Sequence, residues 1–252
     1  MRADELIAAL DLPAPARVDK RIPKKLLLEN GAPTAADRRL ITEGIDSVVW
    51  VAALKPTTVG IPAFVDEIRE YLEIAVMSMT VRNAAKPARL ANLVHRAIPY
   101  PVLLILHDER QVGLSAAHKR RSLGEAGKMV LDDDDVWVSV DDTADAAWLS
   151  AFQNAMALSR QPRTSMRTLY QGWIDTLVAL VAARLTGTFS MLASAPEAEA
   201  RRAATSEYER AEAEIGRLRK IAARETQVSR QVELNQQLGR LRATLSEART
   251  KL

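Results

Sequence analysis

The sequence predicts an α/β fold, with α+β as the neighbouring class: a single mixed sheet with flanking helices, followed by a coiled-coil-like helical extension. Three observations carry this. Between about residues 45 and 140, runs rich in β-branched and aromatic residues are interrupted by one helix-patterned stretch. From residue 143 the apolar spacing becomes helical. The last stretch, 197–252, is dense in Ala, Glu and Arg, and Tyr208 is its one aromatic residue. These changes divide the chain into an α/β domain over 1–193 and a helical extension over 194–252.

The elements follow in order. Residues 3–10 form a short helix closed by the turn region 11–15, and a basic extended piece follows over 17–25, ending in "RIPKK". Thr34 stands where a cap belongs for a helix running to about residue 42. "SVVWVAAL" (47–54) is a buried strand, and "TTVGIPAF" (57–64) its neighbour, with Pro62 placing it at an edge or bulge. "YLEIAVMSMTV" (71–81) is a third strand, in which Leu72, Ile74, Val76, Ser78 and Thr80 share one face. "PARLANLVHRAI" has helical spacing at Leu90, Leu93, Val94 and Ile98, and Pro99 ends it. "VLLILHD" (102–108) is strand-length and apolar, returning through "QVGLSAAHKRR", and a last strand lies near 136–140. Helices over 144–158 and 166–185 complete the first domain, with Gly187 as a stop. Ser194 or Thr188 ahead of Pro196 marks a fresh helix start.

The extension carries two apolar seams. Tyr208, Ala211, Ile215, Leu218 and Ala222 make one; Leu234, Leu238, Leu241, Leu245, Ala248 and Leu252, at alternating gaps of four and three, make the other. They are out of phase, and the mismatch lies between about residues 223 and 233. Either one helix passes a stutter there, or the chain folds back as a hairpin. The Leu234 to Leu252 stripe needs a cover, from the chain's own body, a second copy or a different protein. A homo-oligomer or a partner subunit is the expectation.

Composition removes several functions. Cysteine is absent, which excludes thiolate catalysis, Cys-built zinc sites and sulfur redox switching. The N-terminus is neither a secretory signal nor a membrane span, and Asp175 and Arg184 interrupt the longest apolar stretch, so the expectation is a cytoplasmic protein with no membrane role. A net charge of +3 does not announce a nucleic-acid binder, so local clusters must carry any such reading. Aromatic content of 4% argues against a broad base-stacking surface. Neither GxxxxGK[ST] nor GxGxxG can be written anywhere, so no cofactor is expected.

"RIPKK", "IDSVVWVAALKPTTVGI", "EIAVMSMTV", "RAIPYPVLLIL", "HKR", "LYQGWIDTL" and "ETQVSRQVELNQQLGRL" stand in the order of a bacterial family known as a domain of unknown function, number forty-three ninety-one, which the chain resembles over nearly its whole length. The most specific pieces are "IPYPVLLIL" and "ETQVSRQVELN". The resemblance implies company with DNA methyltransferases and helicase-like ATPases in restriction-like or phage-defence gene clusters. It implies no reaction. The "DDDD" run departs from the family's pattern.

The order helix, three strands, helix, strand also belongs to restriction-endonuclease-like nucleases, which use Mg²⁺ held by carboxylates with a Lys beside the attacking water, as Glu-x-Lys on the third strand. Here the triplet reads Glu73-Ile74-Ala75, and Ala75 replaces the lysine. Asp66, Glu67, Glu70 and Glu73 read as a solvated strand entry. His107, Asp108 and His118 are an acid-base candidate beside a turn reading. Lys119, Arg120 and Arg121, after His118, are the candidate phosphate contacts, with Lys20, Arg21, Lys24 and Lys25 as a second basic patch. The expectation is therefore a non-catalytic interaction or scaffold subunit of a DNA-modification or phage-defence assembly, bound to a methyltransferase or helicase-like partner, with at most weak DNA contact. A metal-dependent nuclease, or an inactive relative of one, is the alternative, and a toxin-like factor neutralised by a neighbour is a third.

Overall fold

A computed structural model of the chain describes residues 2–82, 86–125, 127–132, 135–140 and 145–252. It divides into two compact units, Met1–Leu177 and Val178–Leu252. In the first, α1 (Ala3–Ala9), β1 (Arg17–Arg21), α2 (Lys24–Asn30), α3 (Ala35–Gly44), β2 (Ile45–Leu54) and α4 (Pro56–Val59) are followed by β3 (Phe64–Val65), β4 (Glu70–Tyr71) and β5 (Ile74–Val81). Then come α5 (Pro87–Ala97), β6 (Val102–His107), β7 (Val112–Ala116), β8 (Lys119–Arg121), β9 (Met129–Leu131), β10 (Val136–Val140) and α6 (Leu149–Met156). The helix α7 (Met166–Thr186) begins in this unit and ends in the second.

Among the described residues the main sheet has six strands, ordered β1-β2-β5-β6-β7-β10. Only β5 and β6 run parallel, and α5 supplies the crossover that a parallel pair requires. The other neighbours are antiparallel. The predicted mixed sheet with flanking helices is thus present. Period-two alternation gives β5 two faces. Ala75, Met77 and Met79 pack with Val48, Leu104 and Leu106 under Leu27 of α2, Ile41 of α3 and Leu90, Leu93 and Val94 of α5. On the opposite side, the Tyr170 hydroxyl of α7 donates to the Val102 carbonyl (2.7 Å) and accepts from the Ala117 amide (2.9 Å).

Local chemistry explains the boundaries. Thr34 Oγ1 accepts from the Asp37 amide at 3.1 Å, so α3 starts where its cap predicted. The strand expected over 57–64 is corrected: Pro56 occupies the first turn of α4, Thr58 Oγ1 accepts from the Lys55 amide (2.9 Å), and Gly60 ends the helix at φ 65°. Strand pairing begins only at Phe64. The extended reading of 17–25 holds only to Arg21, because Pro23 starts α2.

The α2–α5 contact is close at Gly31. A Cβ there would lie 2.5 Å from the Leu93 carbonyl oxygen and 2.7 Å from Ala97 Cβ. Gly31→Ala must push two helices apart, at a cost of about 1–3 kcal/mol. A lower urea midpoint at unchanged slope is expected; an unaltered midpoint would mean that the helices have room to part.

In the second unit α8 (Ala195–Ala222) is capped by Ser194, whose side chain accepts from the Glu197 amide at 3.3 Å, and α9 (Val228–Thr250) follows after a five-residue link over 223–227. The link falls where the two seams lose phase, so the chain folds back as a helical hairpin. Ile215 and Leu218 of α8 are buried with Leu234 and Leu238 of α9, and Ala222, Leu241 and Leu245 pack around them. Ala248 is fully buried and Leu252 partly so. The expectation that a second copy or partner covers this stripe is therefore corrected: α8 of the same chain covers it. No helix among the described residues is long and apolar enough to cross a membrane.

Candidate nucleic-acid interface

The three cations predicted as phosphate contacts part company. Lys119 points inward and is only 1% exposed, which corrects its place in that set. Its ammonium donates to the carbonyls of His95 and of Ile98 (2.9 Å for the latter) at the end of α5. The α-helical partner of the His95 carbonyl would be residue 99, a proline without an N–H, so the lysine supplies the missing donor. Burial, with Arg96 nearby, pulls the Lys119 pKa down to about 7. Arg120 and Arg121 reach the surface but are engaged, Arg120 with Asp132 (3.4 Å) and Arg121 with Glu70 (2.9 Å).

Cations that form no ion pair among the described residues lie elsewhere, although Arg96 Nε donates to Asn92 Oδ1 at 2.9 Å. A groove of about 880 Å³ on the α2–α5 side of the sheet is lined by Lys20, Arg21, Arg96 and Lys128, with Trp50 and Tyr100 among its apolar wall. Among the described residues Lys20, Arg21 and Arg96 form no ion pair, whereas Lys128 is bound to Glu125 at 2.9 Å. Strand register builds one wall, because Lys20 of β1 lies opposite Trp50 of β2. The Trp50 indole is fixed by donating to the Ala52 carbonyl at 2.8 Å. The other wall is the end of α5, where Arg96 precedes Pro99 and the half-exposed Tyr100. "RIPKK" and "RAIPYP" thus meet in one groove. A second depression of about 640 Å³, which includes Arg120, shares Asn30, Arg96, Lys128 and Met129 with it.

Of the basic patch over 20–25, only Lys20 and Arg21 serve this groove. Lys24 donates to the Ile45 carbonyl at the end of α3, and Lys25 is 3.6 Å from Glu29. Arg96, Lys128, Trp50 and Tyr100 did not stand out in the sequence. They are far apart in the chain and become neighbours through strand pairing.

Three of the four acids named for the nuclease alternative have partners, although Glu73 Oε1 is buried without one. Glu73 is held by Lys55 at 3.2 Å, Glu70 by Arg121, and Asp66 accepts from the amides of Ile68 (2.9 Å) and Arg69 (2.6 Å) as a turn residue. Among the described residues no three His, Cys, Asp or Glu side chains are gathered as a metal site. Asp133 and Asp134 of the acidic run lie outside the described residues. His118 contacts the Tyr71 hydroxyl (2.5 Å) and Gln171 Oε1 (2.8 Å) and packs between two buried tyrosine rings. Asp108 accepts from the amides of Arg110 and Gln111, as its turn reading predicted. His95, fully buried with its pKa pulled down to about 3 by burial and then by Lys119, contacts Ser115 Oγ at 2.9 Å and stays neutral.

The family whose model matches this sequence, over residues 10–245, is described as Domain of unknown function (DUF4391). The chain belongs to that family. The matched span takes in both faces of the sheet, the groove and most of the hairpin. No curated protein and no solved structure matches the chain significantly.

Proposed function

We propose that this chain is a non-catalytic subunit of a bacterial DNA-modification or phage-defence assembly, and that its groove holds a nucleic-acid backbone without reading sequence. The observation that carries the nucleic-acid part is the convergence of Lys20, Arg21 and Arg96, without carboxylate partners among the described residues, beside the rings of Trp50 and Tyr100. Cations that track phosphates next to a ring that accepts a base form a sequence-tolerant single-strand contact. Two rings suit one or two bases, in keeping with the low aromatic content. The assembly part rests on the company that the family resemblance implies, a DNA methyltransferase or a helicase-like ATPase. Ala75 in the Glu-x-Lys position lines the groove and supports the non-catalytic reading.

Fluorescence anisotropy with a labelled single strand and a duplex tests this. The wild type is expected to bind the single strand weakly and with little sequence preference. Changing Lys20, Arg21 and Arg96 together to Ser is expected to weaken binding by at least about tenfold, the equivalent of 1.4 kcal/mol. No cutting of either substrate is expected with Mg²⁺ or Mn²⁺. Equal affinity in the triple variant removes the groove from the reading, and metal-dependent cutting lost in Glu73→Ala would replace it with the nuclease.

A further inference from the structure

The seam that holds α8 to α9 leaves a pair of residues beside it without a role. Gly216 stands inside α8 and Gly239 inside α9, positions where glycine is less favourable than alanine. At Gly31 the missing side chain lets two helices approach; at Gly216 and Gly239 an added Cβ would meet nothing within 4 Å. The chain's own packing therefore gives no reason for either glycine.

The two glycines share one face of the hairpin. Each directly follows a seam residue, Ile215 or Leu238, and a step of one residue turns the side-chain position by about 100°. Because the helices run antiparallel, that step leads on both to the same broad face. On α9, Val228 and Val232 precede Gly239 by about three and about two turns on the same stripe, and they are 73% and 50% exposed. On α8, the exposed Glu212 and Arg219 stand about one turn to either side of Gly216. Glu214 and Arg217 pair with each other at 2.6 Å, whereas Glu212 and Arg219 form no ion pair among the described residues.

This pattern is its own complement. A two-fold axis crossing the face between Ile215 and Gly216 lays a second α8 antiparallel on the first, with Gly216 against Gly216. Glu212 of each copy then meets Arg219 of the other. Ile215 and Leu218 cluster with Leu234 and Leu238, so the same axis crosses α9 near Glu233 and Leu234. There it sets Val228 of one copy against Gly239 of the other, and Val232 against Asn235. An exposed valine thus faces a gap on both sides of the axis, and opposite charges face each other at both ends of the α8 contact.

We propose that a second copy of this chain docks on that face, so that two hairpins form a four-helix bundle. The Leu234 to Leu252 seam stays within each copy. The glycines allow the helices of the two copies a close approach, and the charge pattern selects a copy of the chain itself over an unrelated helix.

Sedimentation equilibrium of the full chain, without nucleic acid, tests this. A monomer–dimer equilibrium in the micromolar range is expected. Gly216→Gln with Gly239→Gln fills both gaps with a side chain of higher helix propensity, so helicity should hold or rise while dimerisation weakens by at least about tenfold. Glu212→Arg alone and Arg219→Glu alone each set like charges across the axis and should weaken dimerisation severalfold. The two reversals together restore the pairing and should return it close to the wild type. A wild type that stays monomeric throughout the micromolar range leaves the face to another protein and overturns the proposal. Unchanged dimerisation in the double glycine variant, or a double reversal no tighter than the single ones, overturns it as well.

Discussion

Replacing Leu234 and Leu238 together with Asp is expected to unfold the C-terminal hairpin and leave the sheet unit folded. Both leucines are at most 5% exposed and share a cluster with Ile215 and Leu218. Burying a leucine contributes on the order of 1.5–3 kcal/mol, and a buried unpaired carboxylate reverses that sign. Helices held together by one such seam have little else to hold them, because backbone hydrogen bonds alone leave an isolated helix marginal in water. The readout is separable, since Trp50, Trp137, Trp148 and Trp173 all lie in the first unit. Far-ultraviolet circular dichroism should lose helix while tryptophan fluorescence and its thermal transition stay near the wild type. Retained helix in the double variant would show that the seam is not what holds α8 and α9 together.

Lys119 gives the second large effect, and its sign is set by burial. A lysine whose pKa falls from about 10.4 in the unfolded chain to about 7 when folded carries its full penalty below pH 7. Between the two values the unfolded chain holds a proton that the folded one has released, so stability rises with pH, by up to about 1.4 kcal/mol per unit. Lys119→Met keeps the volume but leaves the His95 and Ile98 carbonyls without this donor, at about 1–3 kcal/mol each. The variant should therefore be least harmful near pH 6 and increasingly harmful toward pH 9. The window closes near pH 10, where the buried Tyr71 and Tyr170, whose pKa values burial raises, begin to count with the opposite sign. Urea unfolding of both proteins across that range measures the difference. A gap between them that does not grow with pH would mean that Lys119 keeps its proton when folded.

Much of the fold was legible because its signals are local. Thr34 as a cap, the alternation of β5, the apolar run of β6 and the helical spacing of α5 each depend on neighbours within a few residues. The failures share a cause. Residues 56–59 carry strand-like threonines and a valine, yet Pro56, the Thr58 cap and the left-handed Gly60 outweigh that propensity. In "HKRR" the sequence shows three adjacent cations of equal standing, but strand alternation and the proline after α5 send Lys119 into the interior. The tail was half read: the two seams and the place where they lose phase were visible, while their mutual burial depends on a turn that periodicity does not encode. Lys20 and Arg21 were legible as basic, but Arg96, Trp50 and Tyr100 join them only through β1–β2 pairing and the α5 crossover.

The slope of log affinity against log salt concentration for a single-stranded oligonucleotide tests the central claim most directly. Each phosphate neutralised on a single strand adds about 0.7 to the slope's magnitude. If Lys20, Arg21 and Arg96 each hold one phosphate, the slope of the triple Ser variant should be shallower than that of the wild type by about 2. Parallel lines for the two proteins, displaced or superposed, would contradict phosphate binding in the groove.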